Sequence, residues 1–197
     1  MLRRIVTAAA LIALGLSCLN CAAKSQTAVN DAAAAQSPAS ASGELHFKAP
    51  DDWVVDHPSS TMRVAQYKLP KAAGDNEDGS LTLFYFGATQ GGSVQANIDR
   101  WIGQMQQPDN SQSKDKAKVD TVTAHGLKIS TVDVTGTYTA EMSPGSTSHS
   151  NSPNYRLRAA VIETPKGNYY VKLVGPEKTV ARWDQAYTDY LKSFEYK

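Results

Sequence analysis

The sequence predicts an α+β domain in which an antiparallel sheet is covered by helices. Segments with strand character outnumber helical patterns, and short turns that suit hairpins separate most of them. The two helical patterns follow the third strand pattern and end the chain, so they do not alternate with strands as in a parallel α/β fold. An antiparallel sheet with apolar faces then needs those helices as cover.

The first strand patterns lie near the start of the domain. Residues 45–50, LHFKAP, predict a short strand, and Trp53 just beyond them is expected to anchor the core. Residues 61–70 predict a half-buried strand, since apolar residues share one face near its end: Ala65, Tyr67 and Leu69. Residues 80–87, SLTLFYFG, are apolar almost throughout and predict a strand in the middle of a sheet covered on both faces.

A helix is predicted directly after that strand. Ser93 is a suitable N-cap. Apolar residues then recur at helical spacing: Val94, Ile98, Trp101, Ile102 and Met105. Asn97, Arg100 and Gln104 fall outside this stripe, and Pro108 lies beyond the end of the pattern.

The second half of the domain predicts two hairpins and a final helix. Residues 118–138 are rich in β-branched side chains and are interrupted at His125-Gly126, which indicates a hairpin turn. After the patternless polar segment 141–154, a second hairpin turns at residues 165–167. One helix is predicted over the last 20 residues from an apolar stripe: Val180, Trp183, Tyr187, Leu191 and Phe194.

The first 23 residues have the layout of a secretory signal peptide. Two arginines precede an apolar run, residues 5–16, that ends in small residues. The run is about a dozen residues long, whereas a helix needs about 20 to span a bilayer, so a permanent transmembrane anchor is not expected. Residues 14–18, LGLSC, resemble a bacterial lipobox, and this resemblance implies that Cys18 is acylated and becomes the mature N-terminus.

Other interpretations of the Cys18-x-x-Cys21 pair remain open. Cys21 is an alternative acylated residue, and ordinary cleavage after Ala23 is a third interpretation. A thioredoxin-type motif would need a βαβ setting, and a zinc site would need about two more ligands close by. Neither requirement is met near the pair, so a redox or metal site is disfavoured.

Composition separates a tether from one folded domain. Residues 24–43 are rich in Ala, Ser and Gln and predict a disordered tether, because they cannot bury enough apolar surface to fold. Residues 44–197 have the size of a single domain. The formal charge is +1, and loss of the two signal arginines changes it to −1, so nucleic acid is not expected as a partner.

The segment FGATQGGS joins the central strand to the first helix and could bind an anion through backbone N–H groups. Gly87, Gly91, Gly92 and Ser93 imitate part of a Walker A loop, but the lysine that should precede the serine is missing. The alternative is that the glycines only allow a sharp turn.

No catalytic residue, cofactor or metal is predicted. Residues 74–79, GDNEDG, lack an aspartate at the first ligand position of an EF-hand. A looser oxygen-ligand site at Asp75, Glu77 and Asp78 competes with the interpretation of a solvated acidic turn. The four histidines and the serines lie in no recognisable nucleophile motif.

A recognition surface is predicted from aromatic and arginine side chains, which are enriched at interfaces. Its members are Met62, Arg63, Tyr67, Asn97, Arg100 and Trp101. The alternative is that Trp101 belongs to the core stripe and Arg100 is an ordinary solvated helix residue.

Five segments carry a resemblance to a known fold: FKAPDDW, SSTMRVAQYKLP, GSLTLFYFG, GGSVQANIDRWIGQM and TVARWDQAYTDYLKSFEY. Over residues 44–197 the chain resembles the photosystem protein PsbP and the Ran-binding factor Mog, and more specifically a group of exported bacterial proteins of unknown function. The resemblance implies an α/β/α sandwich. It also implies roles in partner binding and assembly, although a fold alone establishes no activity.

Two function classes follow. The first is an exported, lipid-anchored binding or assembly-accessory domain on the periplasmic side of a bacterial membrane, with an envelope protein or a small ligand as its partner. A soluble periplasmic or secreted protein is the alternative localisation. The second class is a periplasmic hydrolase or metal-dependent enzyme whose residues come together from distant strands.

Overall fold

The computed structural model of the chain describes residues 45–58, 60–140 and 150–197. The predicted signal peptide and tether lie outside these ranges, as do Cys18, Cys21 and most of the polar segment 141–154. No helix within the described ranges is long and apolar enough to cross a membrane.

The described part of the chain folds into a large antiparallel sheet, a small two-stranded sheet and four helices. The large sheet contains β2 (Val54–Val55), β3 (Arg63–Leu69), β4 (Gly79–Tyr85), β5 (Met105–Gln106), β6 (Lys118–Ala124), β7 (Leu127–Tyr138), β8 (Ser152–Thr164) and β9 (Gly167–Pro176). The small sheet pairs β1 (Leu45–His46) with β10 (Glu195–Tyr196). The helices are α1 (Val94–Ile102), α2 (Ser113–Lys116), α3 (Glu177–Arg182) and α4 (Asp184–Lys192).

The strand order of the large sheet is β2-β3-β4-β9-β8-β7, and β7 pairs along its other side with both β6 and β5. Every pairing is antiparallel. Strand β4 lies between β3 and β9, so its predicted central position is confirmed, whereas the predicted cover on both faces is incomplete because Ser80 is exposed.

Alternation of side chains along the strands builds one apolar cluster on each face of the sheet. On β8, Leu157, Ala159 and Val161 pack with the apolar stripe of α1. Ala160 and Ile162 face the other way, toward the buried side chains of α3 and α4. The sheet is therefore a layer between helices, and the α+β prediction with helix-covered faces is confirmed.

The predicted hairpins and the first strands are confirmed. His125 and Gly126 have φ values of 48° and 79°, the conformation of a type I′ turn, which joins β6 and β7 in register. Trp53 is a core residue, and it packs against Tyr67 and Tyr190.

The first helix differs from its prediction at its end. Ser93 is the N-cap, and its side chain accepts a hydrogen bond from the Ala96 N–H. The helix ends at Ile102, so Met105 belongs to β5 and not to the helix. Met105 is nevertheless buried against α1 and β7, because β5 runs along the end of β7.

The C-terminal segment forms two helices where one was predicted. The backbone leaves the helical conformation at Trp183, which has φ −100° and ψ 12° and donates a hydrogen bond from its indole N–H to the Pro70 carbonyl at 2.9 Å. Asp184 then opens α4, where an acidic side chain is favoured by the helix dipole. The predicted apolar stripe is buried across both helices.

Candidate functional site

The six residues predicted as a recognition surface do not share one surface, and that prediction is corrected. Tyr67 and Trp101 are 2% and 3% exposed and belong to the clusters on opposite faces of the sheet. Asn97 is 1% exposed, whereas Met62 is 51% exposed. Arg63 and Arg100 are partly or fully exposed on the α1 side of the sheet, as described below.

Asn97 is buried because it ties the glycine loop to α1. Its Nδ2 donates to the carbonyl oxygens of Gly91 at 2.7 Å and Ser93 at 2.9 Å, and its Oδ1 accepts from Arg100. Asn97 was predicted to lie outside the buried face of the helix because that prediction followed the spacing of apolar side chains alone. An asparagine one helical turn after a glycine loop and an N-cap serine was the signal for this bond.

The contacts of the glycine loop are internal to the fold. Gly91 has a φ of 93°, and a Cβ at this position would lie 2.5 Å from the Tyr170 hydroxyl oxygen. That hydroxyl donates to the Gly92 carbonyl at 3.1 Å. Gly87 also has positive φ, with open space around it. Conformation and packing therefore account for these glycines, together with the capping role of Ser93.

The acidic turn is also held by internal contacts. Asp75 accepts from the backbone N–H and the hydroxyl of Thr179 at 2.8 and 2.6 Å, and so provides a partner for an N–H in the first turn of α3. Asp78 accepts from the Lys71 N–H, and Glu77 accepts from the Tyr155 hydroxyl. The three carboxylates thus have separate partners, and no group of three or more potential metal ligands occurs in the described ranges.

A second charged cluster joins α4 to the sheet. Arg156 donates to Asp133 at 2.8 and 2.6 Å, and both Arg156 and Arg158 ion-pair with Asp184. The Arg158 guanidinium lies 4.4 Å from the centre of the Tyr187 ring. The hydrogen bonds that Arg156 donates to Asp133 have the largest influence on the pKa of Arg156, and they raise it. Two positive charges meet two negative ones, so this cluster is internally compensated.

A groove of about 600 Å³ lies beyond the end of α1. Amide and hydroxyl side chains dominate its lining, among them Gln106, Gln107, Asn110 and Ser113. Gln107 and Ser113 hydrogen-bond to each other at 3.1 Å. The groove therefore offers hydrogen bonds to a polar ligand, and its two charged residues, Asp99 and Lys114, form no acid/base pair with each other in the structure.

The sheet face that carries α1 is covered over only part of its width. Along one row across the strands, the register aligns Gln66, Thr82, Lys172, Ala159 and Val132. The last two of these pack in the cluster beneath α1. The first three are polar, and on the next row Lys68 and Ser80 are exposed. Strands β3, β4 and part of β9 therefore present a polar half of this face that is open at Lys68 and Ser80, whereas Thr82 is buried.

Lys172 is a largely buried cation with neutral partners at the boundary of the open half. Its ammonium donates to the Gln104 Oε1 at 2.6 Å and the Tyr138 hydroxyl at 2.9 Å. Within the described ranges no carboxylate hydrogen-bonds or ion-pairs with it. Burial, and to a smaller extent the nearby Arg100 charge, lower the pKa of Lys172 to about 8.

Further cations line the same face. The Arg63 guanidinium donates to the Gln66 Oε1 at 2.7 Å and lies 5.9 Å from the centre of the Phe84 ring. Gln66 in turn donates to Asp56 at 2.7 Å. We call four cations on the α1 side of the sheet the basic face: Arg63, Lys68 and Lys172 on the strands, and Arg100 on α1. Lys172 was missed from the sequence, and the signal that could have found it is a lysine inside the apolar strand YYVKLV.

Comparison with known proteins gives distant structural similarities only. No protein-family model matches the chain. No curated protein matches it either. A Pseudomonas aeruginosa protein of unknown function, PA94, matches with 13% identity and a TM-score of 0.43, over 77% of this chain and 96% of that one. The PsbP protein CyanoP of Synechocystis matches with 12% identity and a TM-score of 0.42, over 78% of this chain and 86% of that one. No functional conclusion follows from similarities this distant.

Proposed function

We propose that this chain is an exported, lipid-anchored accessory domain that binds an acidic segment of another envelope protein through the basic face. The observation that carries the proposal is the pair of neighbouring cations Lys172 and Arg100, of which Lys172 is largely buried without a carboxylate partner. Export and lipidation rest on the signal-like residues 1–23 and on Cys18.

An anionic ligand relieves two unfavourable features of this pair. A desolvated ammonium is less stable than a solvated one, and a second positive charge nearby disfavours it further. A carboxylate bound between Lys172 and Arg100 would offset both effects and would restore the lysine pKa toward its ordinary range. The basic face contains four cations. The carboxylate of Asp56 is connected to it through Gln66, which donates to Asp56 and accepts from Arg63.

The shape of the open half suits a polypeptide. Strands β3, β4 and β9 lie side by side, and adjacent strands are about 4.8 Å apart, so their exposed side chains form a broad surface. The Arg63 guanidinium lies over the partly exposed Phe84 ring, and arginine and aromatic residues are each enriched at protein interfaces. An acidic segment laid across these strands would contact several cations at once.

Site-specific photo-crosslinking in intact cells tests the binding proposal. A photoreactive amino acid replaces Ser80, which is exposed in the open half, and a matched control replaces Lys178, which is exposed on α3 across the sheet. We expect discrete adducts from position 80 and not from position 178. Arg100→Glu combined with Lys68→Glu should remove those adducts. Identical adducts from both positions, or adducts that persist after charge reversal, would contradict the proposal.

Mass spectrometry of the mature N-terminus tests the anchor separately. We expect a mature chain that begins at an acylated Cys18. In the Cys18→Ser variant the chain should remain unprocessed. A mature chain that begins unmodified at Lys24 would remove the lipid anchor from the proposal. It would leave the test of the basic face unaffected.

A further inference from the structure

We propose that the outer edge of β6 pairs with β6 of a second copy of this chain, antiparallel and centred on Thr121. The two large sheets would then become one continuous sheet. This inference concerns the edge of the sheet opposite to β2, so it stands independently of the basic face.

The outer edge of β6 is open. Among the described residues β6 pairs with β7 alone, and its first six residues are all exposed. Val119 and Val122 are 51% and 39% exposed, which places two large apolar side chains on an edge strand of seven residues. Natural edge strands are usually protected by prolines, bulges, several charges or very short length. This strand has no proline, pairs without a register shift, and carries one lysine and one aspartate.

The hairpin geometry identifies which backbone groups point outward. The two-residue turn makes Ala124 and Leu127 the first hydrogen-bonded pair, and such pairs alternate along an antiparallel ladder. Alternate residues of β6 therefore direct their N–H and C=O groups away from β7. These residues are Val119, Thr121 and Thr123, and all three are β-branched, the type that suits a strand.

This edge is complementary to itself in one register. When Thr121 lies opposite Thr121 of the second copy, Val119 lies opposite Thr123 of the second copy, and all the outward groups find partners. On the other face of the strand, Asp120 lies opposite Val122 of the second copy, and Lys118 lies opposite Ala124 of the second copy. No like charges are then directly opposed, as cross-strand pairing requires.

Neighbouring registers are less favourable. A shift of two residues in one direction sets Asp120 directly opposite its own copy, which is destabilising. The opposite shift sets Val119 against the turn residue His125, whose φ of 48° removes it from the ladder. A second copy is favoured over an acidic or basic peptide because Lys118 and Asp120 give the strand no net charge.

The size of this contact predicts a weak dimer. One strand pair is small compared with the roughly 1,200 Å² that stable interfaces bury, so the dimer should form only at high concentration. Attachment of copies to one membrane by the proposed lipid anchor would supply such a concentration.

Two measurements on the full chain, with both native cysteines changed to serine, test the proposal. We expect sedimentation to show a concentration-dependent dimer whose association constant falls about tenfold or more in Thr121→Lys, since this change opposes two like charges at the centre. Thr121→Cys should form a disulfide-linked dimer on mild oxidation. Thr123→Cys, the matched control, should not, because position 123 lies opposite position 119.

The outcomes separate clearly. A chain that remains monomeric at all concentrations overturns the proposal, as does equal crosslinking of Thr121→Cys and Thr123→Cys. Dimers that Thr121→Lys leaves unchanged would show that another surface associates. Because each changed side chain is exposed on an edge strand, circular dichroism and the unfolding midpoint should match those of the parent chain.

Discussion

Replacement of Lys172 by methionine should change how the stability of the domain depends on pH. Methionine keeps most of the length of the side chain and removes its charge. In the folded chain the Lys172 pKa is lowered from 10.5 to about 8, chiefly by burial. In the unfolded chain the same lysine has its ordinary pKa near 10.5. Between these two values the unfolded chain binds more protons than the folded chain, so the free energy of unfolding rises with pH.

The size of this rise follows from the two pKa values. The full shift corresponds to about 3 kcal/mol in favour of the neutral amine. Between pH 7 and pH 9.5 the lysine should add about 2 kcal/mol to the free energy of unfolding, because the folded form has lost its proton by pH 9.5 and the unfolded form has mostly kept it. Below about pH 7 the contribution of this lysine is constant.

Urea unfolding at pH 7, 8, 9 and 9.5 measures the effect. The free energy of unfolding of the parent chain minus that of Lys172→Met should rise by about 2 kcal/mol across this range. Lys68→Met is the matched control, since Lys68 is exposed on the same face, and its difference from the parent should stay flat. Parallel pH profiles for the parent and Lys172→Met would refute the argument that burial lowers the pKa of this lysine.

Two further predictions concern the glycine loop and the arginine cluster, and both use urea unfolding at pH 7. Gly91→Ala should lower the free energy of unfolding by about 3 kcal/mol, because the new methyl group meets the buried tyrosine of β9 at a positive φ, whereas Gly74→Ala, in open space, should cost about 1 kcal/mol. Asp133→Ala should cost about 2 kcal/mol, since it removes a carboxylate that ion-pairs with both Arg156 and Arg158, whereas the exposed Asp120→Ala should cost less than about 0.5 kcal/mol. Equal losses within either pair would contradict the corresponding explanation.

Most of the fold could be predicted because its signals are local. The alternation of Ala65, Tyr67 and Leu69 specifies a strand with one buried face, and all three residues are buried. The turn at His125-Gly126 could be predicted from two adjacent residues. The break between the two C-terminal helices at Trp183 could not be predicted, because the apolar residues continue at helical spacing through it. The indole N–H of Trp183 hydrogen-bonds to a carbonyl 113 positions away in sequence.

The candidate site was predicted only in part. Arg63 and Arg100 were selected as interface residues, and both belong to the basic face. Tyr67 and Trp101 were selected by the same rule and are buried, because residue type alone does not say whether an aromatic side chain points into a core or onto a surface. Burial depends on which strands become neighbours.

The sequence by itself determined most of the strands, the hairpins and the start of the first helix, because each of these depends on residues within a few positions of one another. Only the tertiary structure decided that Lys172 is a partly desolvated cation. Its strand is flanked by β4 and β8, and the groups that solvate its ammonium, Gln104 and Tyr138, lie 68 and 34 positions away. The dielectric environment of a side chain is a property of neighbours brought together by folding, and no local pattern records it.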